Sequence, residues 1–210
     1  MLFKTNRDLV NYLIRNGVLK SEEIINAFLK IDRIDFIRDE NKFEAYADYP
    51  LPIGYGQTIS QPWTVAFMLE LLQPQEENKV LDVGFGSGWT TCLLAEIVGE
   101  KGRVYGIEII PEIFDFGKKN IEKYNFIKKK IVEIKRGDGS KGWKEYAPFD
   151  RILVSASADE IPQNLIDQLN LNGILVIPDK TGINQIIKKE NGQIEKYHYY
   201  GFSFVPLVSE

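Results

Sequence analysis

LDVGFGSGW, residues 81–89, reads as the end of an apolar strand, a glycine-rich turn and the first residue of a helix. Gly84, Gly86 and Gly88 let a backbone come close to a ligand and expose the N–H groups that open a helix. The dinucleotide fingerprint G-x-G-x-x-G needs a glycine at position 89, where Trp89 stands. The spacing is instead G-x-G-x-G, with Asp82 two positions ahead of the first glycine. In open α/β sheets, ligands bind outside the carboxyl ends of the strands, near the point where strand order reverses. This turn is therefore the expected ligand site.

Outward from the turn, strand and helix patterns alternate. A helix over 62–72 precedes the strand KVLDVG. A helix over 88–98, the strand RVYGIEI, a helix over 111–124 and the strand KIVEIKRG follow. Then come FDRILVSA, a helix near 162–169 and the strand GILVIP. Strands separated by helix-length segments imply right-handed crossovers and a parallel, doubly wound α/β sheet covered on both faces. The tail differs, because Asn191-Gly192 between apolar runs is a hairpin signal, so the sheet is expected to end in antiparallel strands. Residues 6–38 read as helical, with Leu9, Val10, Leu13 and Ile14 at helix spacing, a stop at Gly17 and a second start at Ser21. Residues 39–59 show no period, and a long irregular segment of this kind is commonly functional.

Three successive strands end in acids: Asp82, Glu108 and Gly137-Asp138-Gly139. Glu108, about twenty residues past the glycine turn, is placed to accept both hydroxyls of a ribose. Asp82 either lies near the ligand or caps the turn, and Asp138 either faces the ligand's base or closes an Asx turn. A ring of acids repels a pyrophosphate and welcomes an adenosine that carries a cationic group. That favours S-adenosylmethionine over NAD.

With 210 residues and 44% hydrophobic content, one sizeable core is expected. The division is a single domain over 1–210, with helices and a substrate loop over 1–60 and the cofactor sheet and C-terminal strands over 61–210. A net charge of −4 argues against a broad nucleic-acid-binding face. Lys128-Lys129-Lys130 reads as a solvated run. A single cysteine, Cys92, sits in the apolar helix pattern CLLAEIV and excludes an intrachain disulfide framework. The charged N-terminus lacks a signal-peptide pattern, and no window approaches the ~20 apolar residues of a membrane span. The expected setting is cytoplasmic, as a monomer with no membrane partner. No metal ligands are expected, and His198, the one histidine, reads as a half-exposed strand residue.

YGQTISQPW, residues 55–63, offers Ser60 with no histidine or acid in the stretch to activate it. Ser60 also stands where it could cap the helix entered at Pro62.

The chain resembles the protein-L-isoaspartate O-methyltransferase family over nearly its full length. The matching stretches are IINAFLKIDRIDFI, YPLPIGYGQTISQP, VLDVGFGSG, GDGSKGW, EYAPFDRILVSASADEIPQNLIDQLNLNGILVIP and FVPL. PLPIGYGQTIS and FVPL are specific to that family. The resemblance implies a Rossmann-like methyltransferase sheet with extra N-terminal helices. It implies methyl transfer from S-adenosylmethionine to the free α-carboxylate of L-isoaspartyl residues in damaged proteins. The ester then collapses to a succinimide that partly reopens as normal aspartyl. On this resemblance Ser60 is the functional hydroxyl beside the substrate carboxylate. Thr58, Ile59, Ser60, Asp82, Gly84, Gly86, Ser87, Gly88, Glu108, Ile109, Asp138 and Gly139 face the cofactor, and Ile53, Gly54 and Val205 face the substrate. The chain departs where many members read S-A-P-H-M, having Ser60-Gln61-Pro62-Trp63-Thr64, and Ile37-Arg38 replaces a common Val-Pro. Competing readings are a methyltransferase acting on RNA or a small metabolite, and a non-catalytic cofactor-binding module.

Overall fold

The computed structural model describes residues 2–209. β3 (Lys79–Val83) is buried in all but its first residue and pairs in parallel with β4 (Arg103–Glu108) on one side and β6 (Phe149–Val154) on the other. β5 (Val132–Arg136) continues the parallel ladder beyond β4, and β7 (Leu169–Pro178) continues it beyond β6. β8 (Gly182–Lys188) and β9 (Ile194–Tyr200) then add antiparallel strands. Among the described residues the order is β5-β4-β3-β6-β7-β8-β9. From β3 the chain steps one way to β5 and then returns to build the other half from β6, so strand order reverses between β3 and β6. The glycine turn leaves β3 at that reversal, as the sequence pattern requires. The hairpin at Asn191-Gly192 is present, with Gly192 at φ 81° and its N–H donated to the Lys189 carbonyl.

Helices cover the two faces unequally. α1 (Asn6–Arg15), α2 (Glu22–Lys30), α3 (Pro62–Leu72), α4 (Trp89–Val98) and α5 (Pro111–Glu122) share one apolar cluster with one sheet face. Phe28 of α2 meets Trp89 of α4 edge to face, centroids 5.4 Å apart. Burying each such ring stabilises by about 2–3 kcal/mol, so this contact binds the N-terminal helices to the sheet layer. Among the described residues the opposite face carries only the short α6 (Gln163–Asp167) and 3-10 turns at Gly139–Lys141 and Lys144–Tyr146, packed with Trp143, Phe149 and Leu165. Cys92 is a buried member of the larger cluster.

One local expectation holds with an unexpected bond, and two are corrected. Ser21 begins α2, yet its hydroxyl makes no cap bond and donates instead to Glu70 Oε2 (2.7 Å), while Glu70 Oε1 accepts the Lys20 and Ser21 N–H groups. Ser60 does not cap α3 either. Gln61 occupies the cap position, and Asp48 Oδ1 accepts the Trp63 N–H at 2.9 Å, because Pro62 leaves Trp63 as the first N–H in the helix. Residues 39–59 are ordered into a 3-10 turn (Asp39–Glu44) and a two-stranded antiparallel ribbon, β1 (Leu51–Gly54) with β2 (Gln57–Ile59). Tyr55 and Gly56 join the ribbon with φ of 52° and 70°, the double left-handed turn that suits a tight hairpin.

Candidate active site

Gly84, Gly86 and Gly88 take φ of 73°, 54° and 86°, which carries the chain off β3 in a tight loop. Gly84 and Phe85 donate their N–H groups to the Ile107 carbonyl of β4 at 2.8 and 3.3 Å. A methyl group added at Gly117 of α5 would collide with the Gly86 carbonyl, so α5 seats directly against the loop. Asn120 Nδ2 adds a bond to the Ser87 carbonyl at 3.1 Å.

The three acids divide their work. Glu108 reaches the cavity wall. Its Oε2 accepts the Gly86 N–H at 3.1 Å and its Oε1 accepts those of Ile109 and Ile110 at 2.9 and 3.0 Å. Burial raises its pKa against the pull of those three N–H groups. Asp82 is fully buried behind the turn, where Oδ2 accepts the Thr91 and Thr90 hydroxyls at 2.7 and 3.1 Å. Its Oδ1 has no partner among the described residues. Desolvation pushes its pKa up to about 6, the two threonine hydroxyls oppose the shift, and nearby Glu108 adds to it. Asp138 closes the turn that follows β5, with Oδ1 accepting the Ser140 N–H and hydroxyl at 2.9 and 2.6 Å. Gly137 and Gly139 on either side line the cavity. The expected ring of three acids thus presents one carboxylate on the wall, because Asp82 is turned toward the threonines that open α4 and Asp138 toward Ser140 and Lys141 of its own turn.

Opposite the turn lie Thr58, Ile59 and Ser60. They are held by Arg33, whose guanidinium is fully buried and whose burial sequence reasoning did not find. Nη1 donates to the carbonyls of Ala45 and Ala47 at 2.6 and 3.2 Å, and Nη2 to those of Tyr49 and Ser60 at 3.1 and 3.2 Å. Its carbon lies 5.5 Å over the Trp89 ring. Desolvation lowers its pKa to about 9, with Asp48 and Tyr49 pulling upward, so it stays charged at neutral pH.

Two cavities meet here. The first runs along Gly84, Gly86, Ser87, Glu108, Ile109 and Gly139. The second is bounded by Trp63, Tyr200, Phe202 and Phe204. Thr58, Ser60, Ser155 and Val205 line both and form the neck between them. Val205 is brought there because residues 201–209 return over the strand ends, where its carbonyl accepts the Ser157 N–H and Leu207 donates to the Ser157 carbonyl, both at 2.8 Å. Ser155 was not anticipated, though it directly follows β6 at the carboxyl end that the strand rule marks. Ile53 and Gly54 lie elsewhere: Ile53 is buried against the back of Gly86, its carbonyl bonded by Arg38 Nε, and Gly54 sits by the Arg38 guanidinium. Gly88 and Asp82 form the base of the turn and do not line either cavity. His198 lies on β9 and bonds Asn184 and Thr181 at 2.9 and 3.1 Å, away from the neck.

Among the described residues, no Lys, Arg or His lines the first cavity, and Glu108 is its only charged side chain. This donor set fits an adenosine with a positively charged sulfur and offers nothing to neutralise a pyrophosphate.

The model of the protein-L-isoaspartate(D-aspartate) O-methyltransferase family matches residues 4–210. The chain is 44% identical to the protein-L-isoaspartate O-methyltransferase of Pyrococcus horikoshii, across 100% of this chain and 95% of that protein. It is 42% identical to the one from Methanopyrus kandleri, across 100% and 94%. The crystal structure of a Plasmodium falciparum protein assigned to the same enzyme class, in complex with S-adenosyl-L-homocysteine, superposes with a TM-score of 0.88 at 30% identity, covering 99% of this chain and 100% of that one. Sequence motifs, sheet order and crevice agree with these matches, and the chain belongs to the protein-L-isoaspartate O-methyltransferase family.

Proposed function

We infer that this chain is a repair enzyme that methylates the free carboxylate of L-isoaspartyl residues in damaged proteins, using S-adenosylmethionine. The observation that carries the reading is the neck, where a negatively charged cofactor cavity meets an uncharged one at the hydroxyls of Thr58, Ser60 and Ser155. S-adenosylmethionine supplies an electrophilic methyl on a sulfonium: its C–S bond breaks as a C–O bond to the substrate carboxylate forms, and both charges vanish without release of a proton.

On this reading the chain's own residues bind, align and exclude water. Glu108 receives the ribose hydroxyls while its three backbone bonds hold both adjoining turns in place. The Thr58–Ile59 backbone and the glycine turn face each other across the cofactor. The substrate carboxylate, with an ordinary pKa of about 4, is already ionised at neutral pH, so no general base is required. A neutral hydroxyl on Ser60 holds one carboxylate oxygen without the strong pairing that a lysine would impose. The reacting groups lose charge on the way to the transition state, so a dry, uncharged neck favours the reaction over a water-filled one. The segments 1–60 and 61–210 act as one unit, which is supported by the apolar cluster that runs from Leu9 to the sheet. The same reading takes the protein as a cytoplasmic monomer that does not bind nucleic acid. It draws support from the net charge of −4 and the lone cysteine. No helix among the described residues is long and apolar enough to cross a membrane.

The test uses labelled S-adenosylmethionine with an isoaspartyl peptide, its normal aspartyl counterpart and bulk RNA. Label should enter the isoaspartyl peptide alone. Ser60→Ala should lower kcat/KM about 10- to 100-fold, the worth of one hydrogen bond to a charged group. Unchanged kcat and KM would remove Ser60 from this role.

A further inference from the structure

The second cavity has a composition that the methyl transfer does not itself require. Trp63 and Phe202 form its wall with Phe204 and Tyr200. Trp63 lies nearly parallel to Phe67 (5.4 Å, 12°) and to Phe202 (6.0 Å, 25°), and Phe67 lies nearly parallel to Phe202 (5.1 Å, 18°). Tyr199 closes on Phe67 edge to face at 5.4 Å. The Trp63 backbone is itself fixed by its bond to Asp48. This wall is therefore a preformed surface and not a set of loose rings.

No Lys, Arg, His, Asp or Glu lines the cavity among the described residues. A charged side chain placed there would lose hydration and gain no oppositely charged partner, whereas an apolar one would remove carbon surface from water on both sides. The cavity joins the cofactor side only at the neck of Thr58, Ser60, Ser155 and Val205. A peptide that presents a carboxylate at that neck must lay an adjacent residue against the aromatic wall.

We propose that Trp63 and Phe202 form a subsite for the side chain next to the isoaspartyl residue, and that they make the enzyme select damaged sites with an aromatic or bulky aliphatic neighbour over those with a charged one. This rests on the isoaspartyl reading above. Trp63 is its specificity-determining residue, and the parallel stacking with Phe67 and Phe202 holds the indole as a flat apolar plate.

The experiment is a steady-state series on two sets of isoaspartyl peptides, one varied at the residue before the isoaspartyl and one at the residue after. Phe, Leu, Ala, Lys and Glu are placed at the varied position. In one of the two sets, Phe and Leu peptides should exceed Lys and Glu peptides at least about tenfold in kcat/KM, mostly through KM. Trp63→Ala should compress that ratio to about threefold or less, and Phe202→Leu, a gentler change, should compress it part of the way. A purely structural role for Trp63 would lower all peptides by one common factor and leave the ratio intact, which overturns the proposal. Flat series in the unaltered enzyme would overturn it too, while leaving the isoaspartyl reading standing. Preference for Lys would overturn it in favour of cation–π attraction to an open ring face. Failure to methylate any isoaspartyl peptide would overturn this proposal and the reading beneath it together.

Discussion

On its sheet side the crevice is held by a parallel ladder: β3 is hydrogen-bonded on both edges, the glycine turn leans on the Ile107 carbonyl, and Glu108 ties Gly86 to Ile109 and Ile110. On the other side, the residues that lead into Thr58 and Ser60 form a short two-stranded ribbon and a 3-10 turn, and four main-chain carbonyls there converge on one buried guanidinium. The ladder spreads its energy over many backbone bonds, so single changes there are felt locally. The Arg33 arrangement concentrates it, and four carbonyls share one donor group. A cofactor wall and a substrate wall thus meet at one neck with very different tolerance to substitution.

Arg33→Met should show that contrast most clearly. It keeps much of the stem but strands the carbonyls of Ala45, Ala47, Tyr49 and Ser60, and since a buried acceptor left without its donor costs about 1–3 kcal/mol, the total loss should be about 3–5 kcal/mol. Urea unfolding should record the loss, and hydrogen exchange should rise first over 45–60 while the β3 and β4 amides stay protected. Equal loss of protection in both regions would dissolve the contrast.

The sheet side should in turn carry the pH sensitivity. Asp82 has its pKa raised from 3.8 to about 6, chiefly by burial. The folded chain therefore binds this proton more tightly than the unfolded one. The stability that goes with it is full below about pH 3.8 and is lost as pH rises through about 6. At 1.36 kcal/mol per unit the loss is about 3 kcal/mol. Asp82→Asn should remove it, so the difference in unfolding free energy between the two proteins should change by most of that amount, about 2 kcal/mol, between pH 4 and pH 7. A constant difference across the range would show that Asp82 does not titrate in this window.

Gly117→Ala tests how firmly α5 seats on the glycine turn. The new methyl meets the Gly86 carbonyl, and overpacking of this kind costs about 1–3 kcal/mol. Calorimetric affinity for S-adenosylhomocysteine should fall with it. Retained affinity would mean that the turn has room to shift. The smallest effect is expected at Tyr55, which is 59% exposed and holds φ 52° in the ribbon turn. Tyr55→Asn relieves a left-handed conformation that asparagine adopts more readily, and should stabilise by about 0.5 kcal/mol in thermal unfolding.

The sequence carries the ladder side almost completely. Parallel order and the reversal at β3 follow from strands spaced by helices, and Asp82, Glu108 and Asp138 are placed at carboxyl ends by the same pattern. What each carboxylate does there is not legible, since it depends on which hydroxyl or N–H stands nearby: Thr90 and Thr91 for Asp82, Ser140 for Asp138. The ribbon at 51–59 escapes because Pro52 and Gly54 break its alternation and its pairing spans only three or four residues per strand. Arg33 escapes for a deeper reason. An arginine in IDRID carries no local sign of burial, because its partners are main-chain carbonyls scattered from residue 45 to residue 60. Ser155 could have been read from its position at the end of β6.

Val205 faces Ser60 at the neck, yet the two are made far apart in time. Ser60, the glycine turn and all seven sheet strands have been synthesised before Val205 is added. Until the segment after β9 folds back and pairs with Ser157, the crevice is open on one side. The second cavity and the neck are thus completed by the last segment made, so a chain that stops just short of it has the sheet without a closed site.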